Sequence, residues 1–405
     1  MNSRRRGAAS SEPEKAERRA FVAEMQALAA AGGTEKPPPV LTAEEIMTRD
    51  KPVENDFSAA LNMASESLAN VDAEDLQEEE VVEEEEADLN DLDRNFTPDR
   101  WIIDLNIVKR PSARLLIFHG IGQSHMFYRK WQEFFTLSDI SLHCVCLPGR
   151  SFRLKETPVG VVDGAKYIVR AIDQLYEDKK WLRDTRLYLF GHCLGAIIAF
   201  EVAKHYNEHF DESKPEDHVE IQHLVVSSCK GPSVLHEHNL DRYSKKWWLQ
   251  SDSDIMTRAA ALGGVPVVLR DKNRRDLLRA FVPCIRQDFQ AFEKWLYEPM
   301  ERRSPDDRGS IDCPVTSFHC QDDKAQLPEE VQAWEEATDY GTSPGQVNQH
   351  YSMFMGGHSW LLIPAKEDAL KSYLELLCLA PEPPEFDPPA EDEEELTRIV
   401  ETFYG

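Results

Sequence analysis

The chain has 405 residues, 29% of them charged, with 73 Asp and Glu against 46 Lys and Arg and a formal net charge of -27. A field so negative repels phosphate backbones and anionic headgroups, which argues against nonspecific nucleic-acid binding and docking on acidic membranes. No apolar run reaches the length of a bilayer span, so a soluble protein without a membrane span is expected.

The acidity is uneven along the chain. Thirteen acidic residues fall between Asp72 and Asp93 and nine between Glu382 and Glu401. Residues 1–95 combine an Ala/Glu/Lys/Arg stretch, prolines at Pro37 to Pro39 and the run EEEVVEEEEADLNDLD. So little apolar material does not offset chain entropy, so a disordered acidic N-terminal region is expected, a solvating tail or a docking arm for a basic partner. The opening MNSRRRGAASSEPEKAERRAF has the arginines of a targeting segment, but Glu12, Glu14 and Glu17 interrupt it and no apolar stretch follows. A secretory signal is therefore not expected, and an organellar address stays open.

Between residues 96 and 380 short apolar runs alternate with longer amphipathic ones, the pattern of an α/β domain with a mostly parallel sheet and helices on both faces. The predicted strands are Leu115 to His119, Leu142 to Leu147, Leu187 to Phe190, Leu224 to Ser227, Val315 to His319 and Tyr351 to Met355. Apolar spacing of three or four predicts helices over Asp163 to Tyr176, Leu194 to Tyr206, Glu329 to Thr338 and Lys366 to Leu377. A Trp- and Arg-rich helical segment, about 231–300, interrupts the alternation and is expected to form a lid, because such insertions lie where open α/β sheets bind ligands. Beyond Ala380, prolines at 381, 383, 384, 388 and 389 predict that residues 381–405 form an acidic Pro-rich C-terminal tail outside the core. The eight cysteines include no CxxC pair. Free thiols in a reducing compartment, with the cytoplasm as default, fit better than disulfides or zinc, and no metal or protein-bound cofactor is implied.

The segment RLYLFGHCLGAIIAFEVAKHY reads as strand, sharp turn and helix, with Gly191 and Gly195 bracketing Cys193 in a G-x-C-x-G nucleophile elbow. Small flanking residues are a steric requirement, since the turn brings the helix close to the strand. The general base expected for Cys193 is His358, in MFMGGHSW after the last predicted strand. The order nucleophile, acid, histidine then points to SFHCQDDK, with Asp323 preferred and Asp322 the alternative. His119 and His192 are expected to serve turn geometry. The oxyanion of acyl transfer needs two donors, and the backbone amides of Leu194 and of Ile121, in FHGIGQS, are the candidates for the oxyanion hole.

Together these residues resemble the type II thioesterases of polyketide and nonribosomal peptide assembly lines and their fatty-acyl-releasing relatives. The resemblance runs over about residues 112–378 through LLIFHGIG, FYRKW, VCLPGRSFRL, GHCLGA, SDSD with LGGVP, VPCIRQDFQAFEKW, PVTSFHCQDD and GGHSW. It implies an α/β-hydrolase that cleaves acyl thioesters on the phosphopantetheine arm of an acyl carrier protein, or on acyl-CoA, through Cys193, His358 and Asp323. The substrate then carries the phosphopantetheine, and no cofactor is needed. The sequence departs from the family pattern at Cys193, where serine is usual, at His119, where the loop usually begins with proline, and at Cys320, where glycine is common.

Cysteine changes the energetics. A serine enzyme turns a thioester into a more stable oxyester, whereas Cys193 exchanges one thioester for another at nearly equal free energy. Acylation becomes reversible, so acyl transfer or cyclising release stands beside hydrolysis, which is the primary expectation. A noncatalytic acyl- or carrier-binding protein is the reading from another class. Trp247, Trp248, Leu249, Leu262, Val267, Phe281 and Phe289 are candidates for an acyl channel or for plain core, and Arg274, Arg275 and Arg279 are predicted to dock the carrier.

Overall fold

The computed structural model describes residues 89–136, 138–210, 213, 218–263, 275–297, 310–321, 323, 325–340, 348–353, 357–362 and 364–379. Seven strands form one sheet: β1 (Ile102–Asp104), β2 (Ala113–Phe118), β3 (Ile140–Val145), β4 (Arg186–His192), β5 (Ile221–Ser227), β6 (Val315–Cys320) and β7 (Gln349–Met353), in the order β1-β3-β2-β4-β5-β6-β7. All neighbours run parallel except β1, which pairs antiparallel with β3, Ile102 opposite Val145. The six predicted strands map onto β2 to β7 with ends shifted by a few residues; Phe354 and Met355 of the last prediction lie outside the described residues. The short β1 was not expected.

The strands at the centre are buried on both sides, as their continuous apolar runs require. Side chains alternate between faces. Leu116, Phe118, Leu187 and Leu189 face one core with α4 (Val161–Glu177) and α5 (Leu194–Glu208), while Leu115, Ile117, Tyr188 and Phe190 face a second core. That second layer contains α3 (Trp131–Thr136) and α10 (Pro364–Leu379). Trp131 locks the two helices together by donating from Nε1 to Glu367 at 2.5 Å.

Two expectations need correction. The helix predicted over Glu329 to Thr338 is split into α9 (Pro328–Gln332) and a 3-10 segment, Ala333–Ala337, whose backbone packs so closely on Gly231 that a Cβ there would meet Ala333 at 2.5 Å. At the N-terminal side, Leu89–Arg94, assigned to the disordered region, form helix α1, followed by α2 (Pro98–Trp101). Leu92 is buried, Asp93 pairs with Arg170 at 2.7 Å, and Phe96 stacks on Tyr167. The end of the acidic run thus clasps α4.

The insertion lies between β5 and β6. It holds α6 (Pro232–Leu240), α7 (Asp252–Ala261) and the long α8 (Arg275–Lys294), with a 3-10 turn at Trp247–Leu249. Trp247 packs on Phe289 with ring centroids 6.4 Å apart, and the Glu293 carboxylate accepts the Trp247 N–H at 2.8 Å. Trp247, Trp248 and Phe281 are partly buried and pack against the main apolar core. Leu262 and Phe289 are buried, whereas Leu249 is 62% exposed. Val267 and Arg274 lie outside the described residues, as do the side chains of Arg275 and Arg279.

Candidate active site

At the carboxyl end of β4 the chain reverses into α5 through Cys193, whose φ of 53° and ψ of -120° are outside the regions ordinary residues favour. Hydrogen bonds on both sides hold this conformation: Cys193 N–H donates to Ser227 O at 2.8 Å, and Cys193 O accepts from Ala196 N–H at 3.0 Å. The flanking glycines are sterically required. A Cβ on Gly191 would stand 2.5 Å from Ala196 Cα, and one on Gly195 would overlap the Phe118 carbonyl. Helix and strand therefore approach closely enough to push the Cys193 side chain out of the turn, at the head of a helix whose first N–H groups have no intrahelical acceptor.

His358 sits in the 3-10 turn Gly357–Leu362 that follows β7, and Asp323 in the turn after β6. His358 Nδ1 lies 2.8 Å from Asp323 Oδ2, with both side chains at most 3% exposed. The other carboxylate oxygen, Oδ1, accepts Ala325 N–H at 2.8 Å, so the carboxylate is fixed from two sides. Asp322 lies outside the described residues. His358 Nε2 is buried without a hydrogen-bond partner among the described residues. Burial disfavours the charged ring, but Cys193 and the Asp323 carboxylate outweigh it and raise the imidazole to about 9. Three chain segments, at 193, 323 and 358, thus converge on one point.

The loop after β2 closes the site from the other side. A Cβ on Gly120 would come within 3.1 Å of the His192 ring and 3.4 Å of Cys193 Cβ, so the loop lies against the elbow. Gly120 N–H donates to Gln123 Oε1 at 3.0 Å and Gly122 N–H to Asp288 Oδ2 at 2.7 Å. Gly122 has φ of +70°, a conformation glycine adopts without strain. Between them, the Ile121 N–H has no acceptor among the described residues, and the Leu194 N–H is the first of α5.

His192 and His119 are neutral spectators in charge, since burial lowers both well below the usual histidine range. His192 does more than shape a turn. Its Nδ1 is 2.9 Å from Ser227 Oγ and its ring lies 5.6 Å from that of His358, packing the histidine in place. The sequence reading missed Asp288 and Arg150, a buried pair beside the glycine loop; both stand in motifs already noted, RQDF and LPGR, but their contact spans 138 positions. All eight cysteines are free and buried. Among the described residues no cluster of metal-binding side chains occurs and no helix is long and apolar enough to cross a membrane.

A parallel sheet of this order, an elbow after β4 and a buried His–Asp pair on the loops after β7 and β6 define an α/β-hydrolase. The chain matches the model of the thioesterase domain family over residues 113–362, and it belongs to that family. It is a hydrolase of thioester bonds. The medium-chain S-acyl fatty acid synthase thioesterase of Homo sapiens is 25% identical over 276 residues, spanning 67% of this chain and 90% of that one. Thioesterase PikA5 of Streptomyces venezuelae is 26% identical over 256 residues, 62% and 78% of the two chains. Among solved structures, the type II thioesterase BorB from the borrelidin biosynthetic cluster superposes with a TM-score of 0.52 at 24% identity, covering 70% of this chain and all of that one (100%).

Proposed function

We propose that this thioesterase hydrolyses acyl groups carried on the phosphopantetheine arm of an acyl carrier protein, or on acyl-CoA, through a covalent acyl-Cys193 intermediate. The observation that carries the reading is Cys193 in a strained turn, with φ of 53°, beside an imidazole that Asp323 orients at 2.8 Å. The name of the fatty acid synthase thioesterase among the relatives supports the carrier-bound substrate.

In this mechanism the Cys193 thiolate, paired with the His358 imidazolium, attacks the thioester carbonyl. The carbonyl π electrons move onto oxygen, and the Ile121 and Leu194 N–H groups donate to the resulting oxyanion. Losing one such donor costs about 10²–10³ in rate in enzymes of this type. Collapse breaks the original C–S bond, and the departing pantetheine thiolate takes the proton from His358 Nε2. Water then attacks the acyl-Cys193 carbonyl while Nε2 accepts its proton, and collapse releases the carboxylic acid and the Cys193 thiolate. Asp323 holds Nδ1 protonated throughout, which keeps Nε2 as the titrating nitrogen.

Intact-protein mass after mixing with acyl-pantetheine thioesters tests the reading in the wild type, Cys193→Ala and His358→Ala. An acyl adduct is expected on the wild type and absent from Cys193→Ala, with decay in water yielding the free acid. Faster decay with added amine or alcohol, and little in water, would identify an acyltransferase instead. Acyl ligand bound with neither adduct nor turnover would show a noncatalytic binder.

A further inference from the structure

The two N–H groups flanking Ile121 are both engaged by side-chain oxygens, Gly120 by Gln123 Oε1 and Gly122 by Asp288 Oδ2. The Ile121 N–H shares its peptide plane with the Gly120 carbonyl, which accepts the Gln123 N–H at 3.1 Å, so its direction is set by the loop that these contacts hold. Gln123 belongs to the same loop, and its Oε1 also accepts the Tyr128 hydroxyl at 3.3 Å. Asp288 does not: it comes from α8 of the insertion, 166 positions beyond Gly122. Its carboxylate is held by Arg150, which donates from Nη2 to Oδ1 at 2.5 Å and from Nη1 to Oδ2 at 3.0 Å. Arg150 Nη1 also donates to Gln123 O at 2.9 Å. Both side chains are at most 5% exposed.

A buried ion pair adds little net stability over well-packed apolar residues, so burial alone gives no reason for charges here. The geometry supplies one. A bidentate Arg–carboxylate fork is directional, and the third contact of this carboxylate aims it at the glycine loop. We infer that Asp288 is a positioning residue: α8, when seated, sets the oxyanion loop through the Gly122 N–H, so acylation of Cys193 depends on the seating of the lid helix. The inference rests on the acyl-Cys193 reading above. It makes the insertion a coupling element, because whatever lifts α8 also disorganises the oxyanion donors and leaves the thiol itself intact.

The test compares two reactions of Cys193 in the full chain. Alkylation by iodoacetamide needs the thiolate and no oxyanion donor, whereas acylation by an acyl-pantetheine thioester needs both. Arg150→Met combined with Asp288→Asn keeps an acceptor for Gly122, and Arg150→Met combined with Asp288→Leu removes it, while neither leaves a buried charge unpaired. Both double variants are expected to alkylate at the wild-type rate. The Leu form should acylate about 10²-fold more slowly than wild type, the size of effect of a lost oxyanion donor, and the Asn form within a few-fold of it. Equal acylation by the two doubles would overturn the inference. A wild type that is alkylated yet never acylated would instead overturn the acyl-Cys193 reading on which it rests. A measurement free of folding risk is native-state hydrogen exchange of the wild type: the Gly122 amide is expected to open together with the amides of α8, and independent exchange of Gly122 would contradict the coupling.

Discussion

The elbow and the insertion hold their parts of the site by different means. At the elbow, backbone sterics act: Gly191 and Gly195 let α5 approach β2 and β4 until nothing larger fits, and Cys193 turns between them at φ of 53°. The insertion shares the sheet's apolar core through Ile255, Leu262, Ile285 and Phe289, and is tied to the glycine loop by polar contacts, Asp288 accepting from Arg150 and from the Gly122 N–H. A backbone-locked region resists displacement until it fails as a whole. A lid that touches the glycine loop through one carboxylate can lose that contact while the sheet stays folded.

The largest expected effect on chemistry comes from His358→Ala, which removes the proton-transfer group and should lower thioester hydrolysis by about 10⁴-fold or more. A comparable loss in Cys193→Ala and none in His358→Ala would place the base elsewhere. Gly195→Ala should break the elbow itself. The added methyl overlaps the Phe118 carbonyl, so a loss of at least about 3 kcal/mol in denaturant unfolding is expected. Asp323→Asn sharpens the electrostatic side of the site, with hydrolysis falling by about 10²–10⁴-fold through loss of the correct tautomer.

The protonation of His358 offers a check that does not depend on substrate. In the folded protein burial opposes the charge, yet Cys193 and Asp323 raise the ring to about 9, against about 6.5 in an unfolded chain. A raised histidine stabilises the fold in its protonated form. Its contribution is therefore complete below about pH 6.5 and is lost as the pH rises through about 9. NMR titration of the ring should give a midpoint near 9, shifted downward in Cys193→Ala; an unchanged midpoint would mean that the thiolate does not face Nε2. On the insertion, Glu293→Ala should cost about 1–2 kcal/mol, read as faster hydrogen exchange in the Trp247–Leu249 turn and α8 with the elbow amides unaffected. The smallest effect is expected from Leu249→Ser, at an exposed position, where unfolding should shift by no more than about 0.5 kcal/mol.

Much of this molecule is legible in one dimension because its information is local. The run LYLF followed by GHCLG announces a buried strand turning into a helix, and the strand periodicity of β2, β4, β5 and β6 needs no partner to be read. The order of motifs points to Asp322 or Asp323, and the fold brings Asp323 to His358. Its division of labour, Oδ2 toward His358 and Oδ1 toward Ala325, is a property of the folded turn. The edge strand β1 escaped notice because three residues carry no period, and its pairing with β3 is a tertiary event. Apolar spacing alone ran the helix through to Thr338, whereas Ala333–Ala337, packed closely on Gly231, take a 3-10 form.

The sequence by itself determined the sharp turn at Cys193, the glycine loop and the alternation that builds a parallel sheet, since each depends on residues within a few positions of one another, and it singled out Cys193 and His358 as candidates. The tertiary structure alone decided which side chains hold those parts in register. Arg150, Asp288 and Gly122 come from three separate segments, and His192 meets His358 across 5.6 Å. Such contacts depend on distance in space, and no pattern of spacing along the chain encodes them.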